Sequence, residues 1–188
     1  MVSIAALWMP ILLSSVLVFF ASALVWMVLP IHQHDFKKLN EKEGPVLDAV
    51  RSWSLRAGVH MFPACDPKSL KESPVAAERM KVGPWGTITL MTEPPNMGKS
   101  LGMWVVNLLL IGTAIAFLGT IALPAGSEYM RVFKFVALAA FLAHSGSALT
   151  DSIWKGRPWS HAPGAIIDGL IYAALTAGAF AWLWPKVL

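Results

Sequence analysis

The chain has 188 residues, of which 56% are hydrophobic and only 14% charged, well under the roughly 25% charged residues of a soluble domain. Its net charge of +4 would by itself suit nucleic acid, but in so apolar a chain surplus Lys and Arg more often signal membrane topology. The single cysteine excludes an intrachain disulfide and the paired-thiol chemistry of membrane disulfide oxidoreductases.

Ala5–Leu29 is the first of four apolar stretches; the others are Leu101–Leu123, Val132–Leu149 and Gly164–Trp184. Each approaches the ~20 apolar residues that a spanning helix needs. Ala21-Ser22-Ala23 has the look of a signal-peptidase site. However, no Lys or Arg precedes the apolar run and the run continues past the site, so a retained helix is expected. Seven of the nine tryptophans (Trp8, Trp26, Trp104, Trp154, Trp159, Trp182 and Trp184) fall at or near span ends, where aromatic belts form.

Residues 30–100 hold ten of the fifteen Lys and Arg residues, and Lys155 and Arg157 sit in the connection before the fourth span. The positive-inside rule therefore predicts periplasmic N- and C-termini, with the long segment in the cytoplasm. Within that segment, a short helix is expected from Pro45, with Val46, Leu47, Val50, Trp53 and Leu55 on one side. A second is expected over Asp66–Lys81, interrupted by Pro74, and Gly86–Met91 has strand character. Asn96 is placed to cap a helix beginning near Met97.

The fold class read from these signals is an all-α membrane protein. It has four transmembrane helices and a cytoplasmic segment of roughly 70 residues between helices 1 and 2. The chain divides into 1–29 (transmembrane helix 1), 30–100 (an amphipathic and irregular segment) and 101–188 (transmembrane helices 2–4). Gly112 and Ala116 in the second span, and Gly169, Ala173 and Ala177 in the fourth, recur at the spacing that lets helix backbones approach closely.

An ionisable group inside a span calls for an explanation, and His144 is such a group. Counting ~1.5 Å per residue from the shared end of the third and fourth spans brings Asp168 to nearly the same depth. A His144–Asp168 pair would handle protons, contact a quinone, or contribute to a haem or metal site. The plainer alternative is a hydrogen bond that ties two helices. His32, His34 and Asp35 follow the first span and include suitable ligands for zinc, copper or iron, though so short a run is equally a solvated boundary. His60 and Cys65 form a weaker pair. In Asp151–Trp159, Arg157 lies between Trp154 and Trp159. It is placed to bind a lipid phosphate, a cofactor carboxylate or a partner carboxylate, or simply to anchor the interface. Residues 94–100 lack the spacing of a phosphate loop, and no nucleophile elbow, zinc-protease motif or dinucleotide fingerprint is present.

Several of these residues also carry a resemblance. His32, Asp35 and Phe36 after the first span, Phe62 and Pro63, Pro94, Pro95, Asn96 and Gly98 before the second, and Asp151, Trp154, Arg157 and Trp159 before the fourth resemble an uncharacterised family of small bacterial four-span integral membrane proteins. The resemblance covers nearly the whole chain and implies a bacterial inner-membrane location, with no activity attached.

The leading functional expectation is a non-catalytic accessory or scaffold subunit of a larger bacterial membrane complex. It would bind no cofactor, and its partners would be lipids and other membrane subunits or copies of itself. The alternative is a haem-, quinone- or metal-binding redox protein using His144 and Arg157. A third reading is an oligomeric transporter or channel with Asn107, His144 and Asp168 along a polar path.

Overall fold

The computed structural model describes residues 2–33, 35–63 and 66–186, without the side chains at 67, 69 and 70. In chain order the elements are α1 (Trp8–Met27), α2 (Glu43–Ser52), β1 (Gly58–Phe62), α3 (Pro67–Glu72), α4 (Pro74–Val82), β2 (Gly86–Leu90), α5 (Met97–Ala122), α6 (Tyr129–Ser145), α7 (Ala148–Trp154) and α8 (His161–Trp182). Short 3-10 turns at Ile4–Leu7, Pro30–His32 and Asn40–Lys42 complete the set. Four helical segments are long and apolar enough to cross a membrane: Ile4–Met27, Met97–Ala122, Tyr129–Trp154 and His161–Trp182.

The chain forms two compact units. One is Lys37–Pro95, where β1 and β2 pair antiparallel from Gly58↔Leu90 to Phe62↔Gly86. This part of the chain is therefore not purely helical, contrary to the all-α expectation. The strand character of 86–91 was legible, but its partner β1 was not: Gly58–Phe62 lacks a clear alternation of apolar and polar residues. Pro74 opens α4 and separates it from α3, since a proline cannot continue the hydrogen-bond ladder of the preceding helix.

The other unit contains the four apolar segments. The side chain of Asn96 accepts a hydrogen bond from the Lys99 amide at 3.0 Å and starts α5 at Met97. Small residues fix the helix contacts. A Cβ on Gly112 would meet Ile11 of α1 at 3.3 Å, and Ala116, Ala173 and Ala177 are buried in the core beside Val132, Val136 and Phe180. Between α6 and α8 the approach is closer still. A Cβ on Gly169 would come within 2.7 Å of the Ser145 Cβ and overlap its hydroxyl, which donates to the Ala165 carbonyl at 2.8 Å.

The third span differs from the uninterrupted helix expected over Val132–Leu149. It breaks after Ser145 and resumes as α7 at Ala148. Gly146 and Ser147 stand at the break, and adjacent Gly and Ser residues are a recognised cause of helix kinks.

Candidate functional site

The site lies where α1 ends and α5 and α8 begin. Past α1, Pro30 starts a 3-10 turn whose last residue, His32, is 9% exposed. The His32 ring stacks on Trp26 from the last turn of α1, with centroids 3.9 Å apart and planes 5° from parallel. Gly164 on α8 leaves room for it, since a Cβ there would stand 3.1 Å from His32 Cε1.

Carboxylates hold both ring nitrogens. Nδ1 is 2.7 Å from Asp35 Oδ2, and Nε2 is 3.2 and 3.1 Å from Asp168 Oδ1 and Oδ2. Asp168 also accepts the Trp26 indole N–H at 3.1 Å. Beyond Asp35, His161 Nδ1 lies 3.2 Å from the same Oδ2, and Phe36 meets the His161 ring edge-on. A neutral imidazole donates from one nitrogen only, whereas the cation donates from both. Two carboxylates, one at each nitrogen, therefore favour the charged ring.

Burial opposes that charge, but hydrogen bonds to Asp35 and Asp168, with the Coulomb attraction of both, outweigh it. The His32 pKa is consequently raised above its ordinary value of 6.5. A raised folded-state pKa contributes stability that is fully present below the unfolded value and is lost as pH rises through the folded value. The thermal midpoint in detergent is thus expected to fall as pH is taken upward from 6.5 through that raised value. His32→Gln should abolish this part of the pH dependence. An equal fall in both proteins would assign it to other groups.

Inward from Asp168 lies a cavity of about 390 Å³ lined by Trp26, Trp104, His144, Arg157, Asp168 and Tyr172 among others. Trp104 is fixed by donating its indole N–H to Ser22 Oγ at 3.0 Å. The cavity's acidic groups are already engaged: Asp168 by His32 and Trp26, and Asp151 by Lys155 at 2.6 Å. One of its donors is not. The buried Tyr172 hydroxyl has no hydrogen-bond partner among the described residues. The neighbouring Trp26 N–H is directed at Asp168 instead. His144 packs edge-on against Tyr172, with centroids 5.4 Å apart.

The sequence-predicted residues thus separate into groups. His144, Asp168 and Arg157 share one cavity, but Asp168 hydrogen-bonds to His32 rather than to His144. Trp154 and Trp159 are 77% and 61% exposed and do not line the cavity. Of the proposed metal ligands, His34 lies outside the described residues, while His32 and Asp35 bond to each other. Both His32 nitrogens face carboxylates, and no group of three or more His, Cys, Asp or Glu suited to a metal occurs among the described residues. Cys65 also lies outside them, and His60 is in β1, bonded to the Arg56 carbonyl at 2.9 Å.

Sequence reasoning missed His161, Trp26 as a stacking partner, and Tyr172. The available signal was a histidine, the fifth of the chain, opening an apolar stretch that carries an aspartate. No protein-family model matches the chain, and neither a curated protein nor a solved structure matches it.

Proposed function

We propose that this chain is a ligand-binding protein of the bacterial inner membrane. Its cavity takes an amphipathic molecule with an apolar body and a hydrogen-bond-accepting head, and a quinone is the class that fits. One observation carries the reading: the cavity's carboxylates are occupied while Tyr172 presents a buried hydroxyl without a partner. A buried polar group left unpaired is costly, and an acceptor in the cavity would relieve that cost. Arg157 supplies a guanidinium and His144 an imidazole to the same space, while Trp26 and Trp104 supply flat apolar walls for a ring.

The surplus of Lys and Arg between the first two spans supports an orientation with both termini periplasmic, which puts the cavity at the cytoplasmic end. The sequence resemblance supports the inner membrane as the location. We retain the proposal that the chain serves a larger membrane assembly. A scaffold role alone, however, gives no reason for a cavity with a free donor.

The test is to titrate purified protein in detergent with decylubiquinone and follow tryptophan fluorescence, since Trp26 and Trp104 line the cavity. Saturable quenching is expected. Tyr172→Phe should weaken binding by about fivefold, the worth of one neutral hydrogen bond, and Arg157→Gln should weaken it as well. Absence of saturable quenching, or wild-type affinity in both variants, overturns the reading.

A further inference from the structure

The ligand reading accounts for the cavity but not for the row of titratable groups running away from it. Asp168 is in the cavity wall, and His32 Nε2 is 3.1 Å from its Oδ2. His32 Nδ1 is 2.7 Å from Asp35 Oδ2, and His161 Nδ1 is 3.2 Å from that oxygen. The row alternates carboxylate and imidazole, and its far end, His161, is its most exposed member. The His32 side chain is 5% exposed and that of His161 is 11% exposed, at the first residue of α8. Phe36, which meets the His161 ring edge-on, is 73% exposed.

A structural tie between the end of α1 and α8 requires only the His32–Asp168 contact. Asp35 and His161 extend the row by two more ionisable groups that are largely, though not fully, withdrawn from water, each with some desolvation cost. Their arrangement suits a different task. Imidazole can accept a proton on one nitrogen and release one from the other, and a carboxylate between two imidazoles can receive from one and pass to the next.

We propose that His161, Asp35, His32 and Asp168 form a proton-transfer path from the bundle surface to the cavity. A proton from water binds His161, and one proton moves at each step from His161 to Asp35, from Asp35 to His32 and from His32 to Asp168. One proton thus reaches the cavity for each one taken up. Only N–H and O–H bonds are made or broken, and no electrons move along the row. His32, the central member, turns one ring nitrogen to each of the two carboxylates, so it can receive a proton on one side and release one on the other. The path rests on the ligand reading, because it needs a proton acceptor in the cavity.

Protein-film voltammetry of the full chain loaded with decylubiquinone provides the test. The electrode supplies two electrons, and two protons must arrive to convert the quinone to the quinol. Asp35→Asn and His161→Gln alter two of the three members that do not line the cavity. Each is expected to leave decylubiquinone affinity unchanged and to slow proton-coupled reduction by about a hundredfold, in the range attributed to positioned proton-transfer groups. His161→Ala should be slowed likewise and rescued by added imidazole, which a purely structural role would not produce. Wild-type reduction rates in Asp35→Asn and His161→Gln, with binding intact, overturn the path and leave the ligand reading standing. Failure of wild-type protein to bind decylubiquinone overturns both. His161→Gln, at the more exposed end of the row, keeps the test decisive if Asp35→Asn does not fold.

Discussion

Replacing Asp168 with alanine is expected to cost the bundle about 3–5 kcal/mol, the usual penalty for stripping one partner from a buried charged pair. Asp168 is 7% exposed and receives both His32 and the Trp26 indole. Its loss leaves His32 Nε2 and the Trp26 N–H without their acceptor, with Asp35 still on His32 Nδ1. The loss also loosens the hold of α8 on the chain that follows α1. Thermal unfolding in detergent checks the magnitude. A double-mutant cycle with His32→Gln and Asp168→Asn should then show a coupling of about 0.5–3 kcal/mol, as for residues in one hydrogen-bond network. The corresponding cycle between His144 and Asp168 should show less, because those two share a cavity but no hydrogen bond. Additive effects for His32 and Asp168 would contradict the account of how this end of the bundle is held.

The second large effect is steric. Gly169→Val is expected to prevent the close packing of α6 on α8, since even a single Cβ at that position overlaps the Ser145 hydroxyl. Overpacking of this kind costs about 1–3 kcal/mol when the structure can shift, and more when it cannot. Here the obstacle is a short side chain held by its own hydrogen bond to the Ala165 carbonyl, so little relief is available. The smaller change Gly169→Ala should be partly rescued by Ser145→Gly, which removes the two atoms that clash and leaves only an ordinary contact with Phe141 at 3.6 Å. If Gly169→Ala unfolds at the wild-type temperature, the close approach is not a constraint on the fold.

The spans were legible because apolar length is a strong signal, and so were the contacts made by small residues. Gly112 and Gly169 stand where another helix comes nearest, as the four-residue spacing predicts. Asn96 was legible because capping is local chemistry, settled within four residues. The helix break at Gly146 was not foreseen, because the apolar pattern continues through it.

The site was half legible, and the reason is topological. Counting residues from a shared helix end brings His144 and Asp168 to similar depth, and both do line one cavity. Depth alone does not say which neighbour takes the carboxylate. His32 lies beyond the apolar stretch that predicts α1 and read as a solvated boundary residue. The 3-10 turn at Pro30 places its ring against Trp26 and within reach of Asp168, 136 positions along the chain. No local pattern encodes a contact that distant. His161 was overlooked for a related reason: it opens α8 at the edge of an apolar stretch, and only its proximity to Asp35 gives it chemistry.

The most direct measurement is native mass spectrometry of the chain gently extracted from its own membranes. The account predicts one small lipophilic molecule per chain, retained by the wild type and lost or weakened in Tyr172→Phe. A chain that carries only bulk phospholipid, or a stoichiometric protein partner with no small molecule, would contradict it.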